Sequence, residues 1–400
     1  MSTPRKARGI RPRHAVLQPQ SKARNLRSLA LRGLAVLVTS ALAIVGISAA
    51  SIGGQLGQNG LVLRDASGNV ISAPANLDGP INMLLVGSDT RAGQGGGFGS
   101  ETSTLADVII LLHVSADRKS AVALSFPRDL MVPWPACPST TGGPGYLPQT
   151  LGQINATIAN GGPGCTLLTV ETLTGLKIPY LAMINFKGVI EMSNAIGGVE
   201  VCVARDITDT YTHLNLTKGV HTLQGVEALQ FLRTRHGVGD GSDLSRISNQ
   251  QVFLTSLVRK IKSQGVLTNP VYLYSLASAA ARNMTLSSNL TDLNTIVSLA
   301  SALKNVQLEK MTFLQVPSAG GMPAPYQGRV QPIYEQANVL FQKLQADQPI
   351  LVSGNNTGTV DPSATASPSP VATASPSPTA TDVLPDWARG TNAAKTTCSN

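Results

Sequence analysis

The sequence is poor in the side chains that several common functions need. Only 4% of its 400 residues are aromatic, which argues against a surface that stacks the bases of single-stranded nucleic acid. Four cysteines occur without a C-x-x-C pair, so a zinc site is not predicted. Acidic residues are absent from the first 32 positions, where nine of the 31 basic residues lie. The other 22 basic residues match the 22 acidic ones, so we expect no nucleic-acid partner for the body of the chain.

Charge is also missing from residues 33–63. Within this stretch Leu34–Ile52 is mostly Leu, Val, Ile and Ala, close to the ~20 residues that a helix needs to cross a bilayer. Because the basic residues before it favour the cytoplasmic side, the rest of the chain is predicted to be extracytoplasmic. Ser48-Ala49-Ala50 would suit signal-peptide cleavage, but a 32-residue leader is long for a cleaved signal. We therefore predict a single-pass protein of the cell membrane, with a cytoplasmic tail at 1–32, a retained transmembrane signal anchor at 33–56 and a juxtamembrane linker at 57–77.

The cysteines suit an extracytoplasmic body. Cys137 and Cys165 flank a stretch rich in Pro and Gly that has little core of its own, and a disulfide between them would stabilise it. Cys202 lies in an apolar, strand-like run and Cys398 lies near the end of the chain. The sequence leaves the pairing of these two open.

Strand-like and helix-like segments alternate between residues 78 and 349. Short runs of β-branched residues or Leu, bounded by Gly, Asp and Pro, predict strands at 81–86, 107–114, 120–126, 180–186 and 198–204. Amphipathic spacing predicts helices at 166–176, 187–195, 223–233, 244–262 and 334–344. This order predicts an α/β fold with a central mixed sheet flanked by helices. We expect a main domain at 78–262, a helical extension at 263–350 and a disordered tail rich in Ser, Thr, Ala and Pro at 351–400.

Arg and Asp recur where the predicted strands and helices begin or end. The residues concerned are Asp89, Arg91, Asp107, Arg128, Asp129, Arg233, Arg235, Asp243 and Arg246. Any one Arg–Asp pair would also fit a surface salt bridge worth about 0–1 kcal/mol. In open α/β sheets, however, loops at the carboxyl ends of strands form the binding sites. Guanidinium groups match phosphate oxygens, and Mg²⁺ binds through one or two carboxylates plus substrate phosphates, so the pattern predicts a site for an anionic diphosphate.

Several sequence blocks resemble the LytR-CpsA-Psr (LCP) family, and its actinobacterial members in particular. The blocks that contain Arg are the most specific: NMLLVGSDTR at 82–91, LSFPRDLMV at 124–132 and LQGVEALQFLRTRH at 223–236. Others are ADVIILLHV at 106–114, GQINATIANGG at 152–162, LTGLKIPYLAMINFKG at 173–188, IGGVEV at 196–201 and DGSDLSRISNQQ at 240–251. They follow the family's order over most of 80–262. Asp107 lacks the Arg that the family usually has shortly before this Asp.

The resemblance implies an LCP-like α/β/α domain and a specific reaction. Such a protein would transfer a glycopolymer from a polyprenyl-diphosphate carrier onto peptidoglycan, forming a phosphodiester and releasing polyprenyl phosphate. Because the carrier stays in the bilayer, the expected partners also include membrane lipid. By motif, the expected Mg²⁺ ligands are Asp89 and Asp107. Because a hydroxyl is a poor nucleophile, an Asp is also a candidate for the catalytic base, and the sequence leaves Asp89 and Asp107 open for this role. The other expected catalytic residues are Arg91, Arg128, Arg233 and Arg235. Substrate binding would further involve Asp243, Arg246 and Gln250.

Two other classes of function remain open from the sequence. The first is a hydrolase that uses Ser88, although Gly87-Ser88-Asp89 lacks the second Gly of a nucleophile elbow. The second is a membrane-anchored module that binds wall polymer through an Arg-rich face without catalysis. The sequence does not distinguish arabinogalactan, a teichoic acid or a capsule as the polymer.

Overall fold

The computed structural model describes Gly54 and residues 60–74, 77–90, 104–139, 144–263, 269–352, 359–360 and 383–400. Arg91, the predicted cytoplasmic tail, all of the predicted anchor except Gly54 and most of the Ser- and Pro-rich segment lie outside these ranges. Among the described residues, no helix combines the length and the hydropathy required to cross a bilayer.

Strands and helices alternate along the described chain, as the sequence predicts. The strands are β1 (Ile81–Ser88), β2 (Ala106–Val114), β3 (Ala121–Phe126), β4 (Met131–Trp134), β5 (Gln149–Gln153), β6 (Tyr180–Ile184), β7 (Val199–Val203), β8 (Ile207–Asp209), β9 (Leu214–Leu216), β10 (Gly219–Leu223), β11 (Met284–Leu286), β12 (Met311–Gln315), β13 (Ser318–Ala319), β14 (Gln331–Pro332), β15 (Thr359–Val360), β16 (Gly390–Asn392) and β17 (Cys398–Ser399). The α-helices are α1 (Thr157–Thr174), α2 (Phe186–Ala195), α3 (Gly225–Arg233), α4 (Asp243–Ser263), α5 (Pro270–Asn283), α6 (Leu293–Asn305) and α7 (Tyr334–Gln345). Helix α1 begins earlier than predicted and is kinked at Gly161 and Gly162.

The central sheet has seven strands in the order β11–β6–β1–β2–β3–β12–β16. β1 is parallel to β6 and β3 is parallel to β12, whereas β2 is antiparallel to both β1 and β3. The sheet is therefore mixed, and β6, β1, β3 and β12 all point the same way. Their carboxyl ends lie along one edge, which we call the carboxyl edge.

Alternation along the strands gives the sheet two apolar faces. In β2, Ile109 and Leu111 join one buried cluster, which includes Leu340 of α7, and Ile110 and Leu112 join another. Side chains of successive residues point to opposite faces of a strand, so each cluster covers one side of the sheet. Both sides are packed by helices, which is the predicted α/β/α arrangement.

A second sheet, in the order β10–β7–β17–β15, corrects the prediction that all of 351–400 is disordered. Residues 383–400 are ordered: β16 pairs with β12 of the central sheet, and β17 pairs with β7. A disulfide joins Cys202 on β7 to Cys398 on β17, so both of the cysteines left open by the sequence are paired. The disulfide predicted between Cys137 and Cys165 is also present. The Ser- and Pro-rich composition before residue 383 led to the prediction of a fully disordered tail. The last residues of the chain nevertheless pair with strands that are distant in the sequence.

Two other predicted boundaries are wrong. Residues 263–350 are not a helical extension, because β11 and β12 from this region are strands of the central sheet. The described part of the predicted linker belongs to the body as well. Leu63 is fully buried in the core, and the Leu61 N–H donates to the carbonyl oxygen of Leu286 at 2.8 Å.

Candidate active site

The carboxyl edge brings together residues from three neighbouring strands. Asp89, which follows β1, donates its backbone N–H to Leu105 O at 3.0 Å and accepts the Leu105 N–H on Oδ1 at 2.6 Å. In the β2–β3 register Ile109 lies opposite Phe126, and continuing that register places Asp107 opposite Arg128. The fold thus delivers the carboxylates and a guanidinium to one place.

Arg128 is the centre of an ionic cluster at this edge. Its Nη1 donates to Asp107 Oδ1 at 2.7 Å, and its Nε lies 3.5 Å from carboxylate oxygens of both Asp129 and Asp243. Asp243 Oδ2 also accepts the backbone N–H of Arg128 at 3.3 Å. Burial disfavours the charge of Arg128, but the Asp107 hydrogen bond and the three carboxylates outweigh it, so the pKa is raised. Arg128 is therefore a permanent, oriented cation.

Arg246 connects helix α4 to strand β2 beneath this cluster. Its side chain is 5% exposed, its Nη2 lies 2.7 Å from Asp243 Oδ1, and Nη2 also donates to Asp107 O at 3.0 Å. Burial lowers the pKa of Arg246, and the nearby carboxylate of Asp243 counteracts that effect. Because Arg246 ties two elements together from a buried position, it orders the site.

The loop that carries Arg235 is organised by a buried carboxylate, Asp209, that the sequence analysis missed. Asp209 Oδ2 accepts from Thr234 Oγ1 at 2.6 Å and from the backbone N–H groups of Arg235 and His236 at 3.1 and 3.3 Å. Its Oδ1 accepts two further backbone N–H groups, those of residues 211 and 212. Burial alone would raise the pKa of Asp209, but these hydrogen bonds lower it overall, so the group stays ionised.

Asp240 holds the other end of the same loop. Its carboxylate accepts the backbone N–H of Ser242 at 3.0 Å and a short hydrogen bond from the Ser245 hydroxyl. Hydrogen bonds from the side chains of Ser242 and Ser245 lower its pKa to about 2. The loop is therefore fixed at both ends, by Asp209 before it and Asp240 near its end.

Arg233 and Gln250 complete the polar side of the site. The guanidinium carbon of Arg233 lies 4.3 Å above the ring centroid of Phe186, a cation–π arrangement that orients the side chain. Gln250 Nε2 donates to Leu232 O at 3.0 Å and so attaches α4 to the end of α3. Both residues line the same pocket as Arg128, Arg235 and Arg246.

This pocket has a volume of about 530 Å³ and two chemically distinct parts. The interior is apolar and lies between strands β1, β2 and β6 and helices α2 to α5, with Leu85, Ile110, Ala182, Met192, Phe253 and Leu276 among its lining residues. The polar part contains Asp107 and the guanidinium groups of Arg128, Arg233, Arg235 and Arg246. Within the described chain the Nε atoms of Arg128, Arg235 and Arg246 are buried without a hydrogen-bond partner. A buried donor without a partner costs about 1–3 kcal/mol. The carboxylates of Asp129 and Asp243, 3.5 Å from Arg128 Nε, offset part of that cost for Arg128.

The predicted site residues therefore converge, with Arg91 outside the described residues. Asp107, Arg128, Arg233, Arg235, Arg246 and Gln250 line the pocket. Asp243 contacts Arg128 and Arg246, and Asp89 lies at the adjacent strand end. The pocket also uses Asp209, Tyr211 and His236, which the sequence analysis did not select. The local feature at Asp209 is an Asx turn, in which its carboxylate accepts the backbone N–H of Tyr211, two residues later.

The donor set of the site limits how a metal ion could be held there. Among the described residues, no group of three or more His, Cys, Asp and Glu side chains is arranged to hold a metal ion. Asp107 and Asp89 come from adjacent strand ends, and Mg²⁺ commonly uses one or two carboxylates and takes its other ligands from water and substrate phosphates. The donor set fits Mg²⁺ that arrives with a phosphate ligand, and it does not form a complete protein cage.

Most of the chain is similar to known proteins. The model of the LytR_cpsA_psr family matches residues 61–344, a wider span than the predicted 78–262 domain. The cell wall biosynthesis protein LcpA of Corynebacterium glutamicum is 28% identical over 343 residues, covering 78% of this chain and 64% of LcpA. The polyisoprenyl-teichoic acid–peptidoglycan teichoic acid transferase TagT of Bacillus subtilis is 30% identical over 245 residues, covering 60% of this chain and 70% of TagT.

A solved structure agrees with the fold. The LytR-Csp2A-Psr enzyme from Actinomyces oris superposes with a TM-score of 0.51 at 24% identity, covering 72% of this chain and 96% of that one. At this identity the likeness concerns the fold alone. The chain also spans slightly less than two thirds of the length of LcpA.

Proposed function

Because the chain belongs to the LytR_cpsA_psr family, we propose that it is an extracytoplasmic phosphotransferase that moves a glycopolymer from a polyprenyl-diphosphate carrier onto peptidoglycan. The reaction would form a phosphodiester and release polyprenyl phosphate. TagT, named as a teichoic acid transferase that uses a polyisoprenyl-linked polymer and peptidoglycan, supports this substrate class.

One observation supports the proposal more than any other. Four arginines, Arg128, Arg233, Arg235 and Arg246, line the polar part of a pocket whose interior is apolar. A diphosphate attached to a long hydrocarbon needs both parts at once. Burial of the hydrocarbon would contribute about 0.8 kcal/mol per CH₂ group. The cationic part would bind the headgroup through charge-assisted hydrogen bonds, which are about twice as strong as neutral ones.

In the proposed step, a peptidoglycan sugar hydroxyl attacks the phosphorus on the glycopolymer side of the diphosphate. The new O–P bond forms as the bond from this phosphorus to the polyprenyl phosphate oxygen breaks. Arg128, Arg233 and Arg235 stabilise the charge that develops on the phosphate oxygens, which is the main form of catalysis expected for phosphoryl transfer. The hydroxyl proton passes to a carboxylate, and Asp107 is the better candidate because it lines the pocket.

We propose Asp89 and Asp107 as the ligands of Mg²⁺. When bound, the ion would supply additional positive charge at the diphosphate. We also propose that the anchor at 33–56 keeps the catalytic domain outside the cell and close to the lipid surface. A polyprenyl carrier leaves the bilayer at a cost of about 0.8 kcal/mol for each exposed CH₂, so a site tethered near the membrane avoids most of that cost.

Reconstitution of the full chain in lipid vesicles tests the proposal. The vesicles would contain a polyprenyl-diphosphate oligosaccharide, and soluble un-cross-linked peptidoglycan would be added with and without Mg²⁺. We expect polyprenyl monophosphate and a glycan–peptidoglycan phosphodiester in equal amounts, with loss of both products in EDTA. Binding of the oligosaccharide without either product would instead indicate the non-catalytic module.

A hydrolase based on Ser88 is tested in the same assay. Ser88 Oγ lies 2.7 Å from Thr90 Oγ1 and accepts the Thr90 N–H at 3.1 Å, and within the described chain it has no histidine as a hydrogen-bond partner. Ser88→Ala should therefore retain transfer. Loss of product in this variant with unchanged thermal stability would favour the hydrolase.

A further inference from the structure

A second cavity, of about 270 Å³, lies at the carboxyl edge on the other side of Arg128 from the apolar pocket. Its lining combines polar and apolar side chains, among them Gln315, Ser318, Gln336, Asp386, Trp387 and Arg389. The last three of these lie beyond residue 344, where the family match ends. The wall that they form therefore belongs to this chain's C-terminal segment.

Gln315 gives this cavity a fixed acceptor. The residue is 3% exposed, and its Nε2 donates to Ser248 Oγ at 3.0 Å and to Leu244 O at 3.3 Å. A carbonyl oxygen such as Leu244 O can only accept, so the amide nitrogen must face it and the amide oxygen must point the other way. Within the described residues, Gln315 Oε1 is buried without a hydrogen-bond partner, and so is the hydroxyl of Ser318. Both atoms are suited to a ligand that brings N–H and O–H donors.

The composition of the cavity indicates a carbohydrate. Trp387 is half-buried and offers a flat apolar surface beside polar groups, as aromatic residues in binding sites commonly do. The amides of Gln315 and Gln336 and the charged groups of Asp386 and Arg389 can bind hydroxyl and acetamido substituents. A ligand rich in hydroxyl and acetamido groups, with one apolar face, suits these side chains, whereas a lipid would leave the buried amide unpaired.

The strand order relates the cavity to the proposed reaction. The apolar pocket lies against β6, β1 and β2, and Arg128 follows β3, the next strand of the sheet. The cavity lies where β12 ends and β16 begins, and these are the two strands that follow β3 in the sheet. Attacking and leaving oxygens are roughly in line in phosphoryl transfer. If the polyprenyl phosphate leaves on the side of the apolar pocket, the attacking hydroxyl must approach from the side of the cavity.

We propose that this second cavity is the acceptor subsite and that it binds the N-acetylated amino-sugar backbone of a peptidoglycan strand. The position of the subsite relative to the lipid rests on the proposed function, but sugar binding by the cavity can be measured without any transfer. The C-terminal segment that returns to the body through β16 and β17 would then serve to build this subsite.

Intrinsic fluorescence tests the proposal because the chain has two tryptophans, and Trp134 is buried in the core. The full chain in detergent micelles would be titrated with a soluble tetrasaccharide of alternating N-acetylglucosamine and N-acetylmuramic acid. We expect a saturable change in emission that persists in Trp134→Phe and disappears in Trp387→Phe. Gln336→Ala, a milder change on helix α7, should weaken binding about tenfold, the size expected for one lost hydrogen bond to a buried group.

Several outcomes would overturn the subsite. They are no saturable change, a change that survives Trp387→Phe, or equal affinity for maltotetraose, which has no acetamido groups. Transfer with an unchanged acceptor KM in both Gln336→Ala and Trp387→Phe would also overturn it while leaving the proposed function intact. Conversely, tetrasaccharide binding without any polyprenyl phosphate release would support the subsite and contradict the proposed function. Arg235→Lys serves as the matched control, because it should weaken diphosphate binding and leave tetrasaccharide binding unchanged.

Discussion

The carboxylate of Asp209 accepts the backbone N–H of Arg235 at 3.1 Å, so a buried acid at the end of β8 sets the position of a guanidinium in the pocket. Asp209 is 2% exposed and receives hydrogen bonds on both of its oxygens. It accepts hydrogen bonds from the Thr234 hydroxyl and from the backbone N–H groups of Arg235 and His236, and it therefore acts on the reaction by positioning Arg235.

Asp209→Asn should destabilise the loop and slow transfer together. An amide at this position turns an NH₂ group toward backbone N–H donors and leaves at least one of them unpaired, which costs about 1–3 kcal/mol. We expect a lower Tm and a reduced kcat with little change in acceptor KM. Asp206→Asn is the matched control, since Asp206 is exposed and accepts one backbone N–H, that of Lys218. Equal kcat in the two variants would contradict the positioning role.

Arg128→Ala should nearly abolish transfer. The loss of one preorganised donor to a developing oxyanion costs about 10²–10³ in rate in comparable sites. Lys119→Ala is the control, because Lys119 is exposed at the opposite end of β3. The measurement is polyprenyl phosphate release at saturating donor, accompanied by thermal unfolding of each variant. Similar rates for folded Arg128→Ala and Lys119→Ala would exclude Arg128 from the reaction.

Replacing Arg by Lys should separate the binding arginine from the structural one. Arg235 has a buried Nε without a partner among the described residues, so Arg235→Lys should lose donor affinity by about tenfold or more while Tm changes little. Arg246 bridges Asp243 and Asp107 O, so Arg246→Lys should lower Tm first. Donor binding by calorimetry and unfolding by circular dichroism distinguish the two. A lower Tm in Arg235→Lys than in Arg246→Lys would reverse these assignments.

The part of the site that the sequence predicted consists of residues within or beside strand and helix ends. Arg128 follows a Pro that ends an apolar run, and Asp107 begins another, so local patterns locate both at the edge of a sheet. The register of β2 against β3 then brings them together. Local sequence patterns are sufficient to predict such a contact where two strands that follow each other in the chain also pair in the sheet.

The residues that the sequence missed depend on long-range contacts. Asp209 was missed although Arg235 was predicted: strands β9 and β10 and helix α3 separate the two residues, and nothing in the spacing of either indicates the other. The C-terminal strands are equally hidden, because β17 is two residues long and pairs with a strand almost 200 residues earlier, with a separation of 196 between the linked cysteines. Pairing of short strands is decided by tertiary packing rather than by local propensity.

Stability should fall on acidification because of a buried histidine. His113 Nδ1 lies 2.7 Å from Asn82 Oδ1 and Nε2 lies 3.0 Å from Asp347 Oδ1, and burial lowers the His113 pKa although Asp347 opposes the shift. The unfolded chain binds this proton near pH 6.5 and the folded chain binds it only at lower pH, so acidification below about 6.5 favours unfolding. The loss is at most about 1.4 kcal/mol per pH unit.

His113→Gln should therefore show a smaller drop in Tm between pH 7.5 and 5.5 than the unsubstituted protein. His221→Gln is the control, since His221 is partly exposed on β10 and bonds to the nearby Thr217 carbonyl. An identical pH dependence of Tm in His113→Gln and His221→Gln would show that His113 does not contribute.

The Cys202–Cys398 disulfide should hold the C-terminal segment against the site. Strand β17 pairs with β7. Gly239, in the loop that follows Arg235, donates its N–H to the main-chain oxygen of Asn400 at 2.6 Å. Replacing both cysteines by Ser should cost about 2–5 kcal/mol, the usual range for a native disulfide. Without the link, the two-residue β17 has few hydrogen bonds to keep it in place, and its amides should exchange with solvent faster.

Hydrogen–deuterium exchange of residues 390–400, read by mass spectrometry, measures this effect. The matched control is the double Ser variant of Cys137 and Cys165, which lie far from β17 in sequence and should leave exchange in 390–400 unchanged. Because residues just before β16 line the second cavity, the Cys202–Cys398 variant should also bind the tetrasaccharide more weakly. Unchanged exchange in 390–400 would mean that strand pairing alone holds the segment, and any loss of sugar binding would then need another cause.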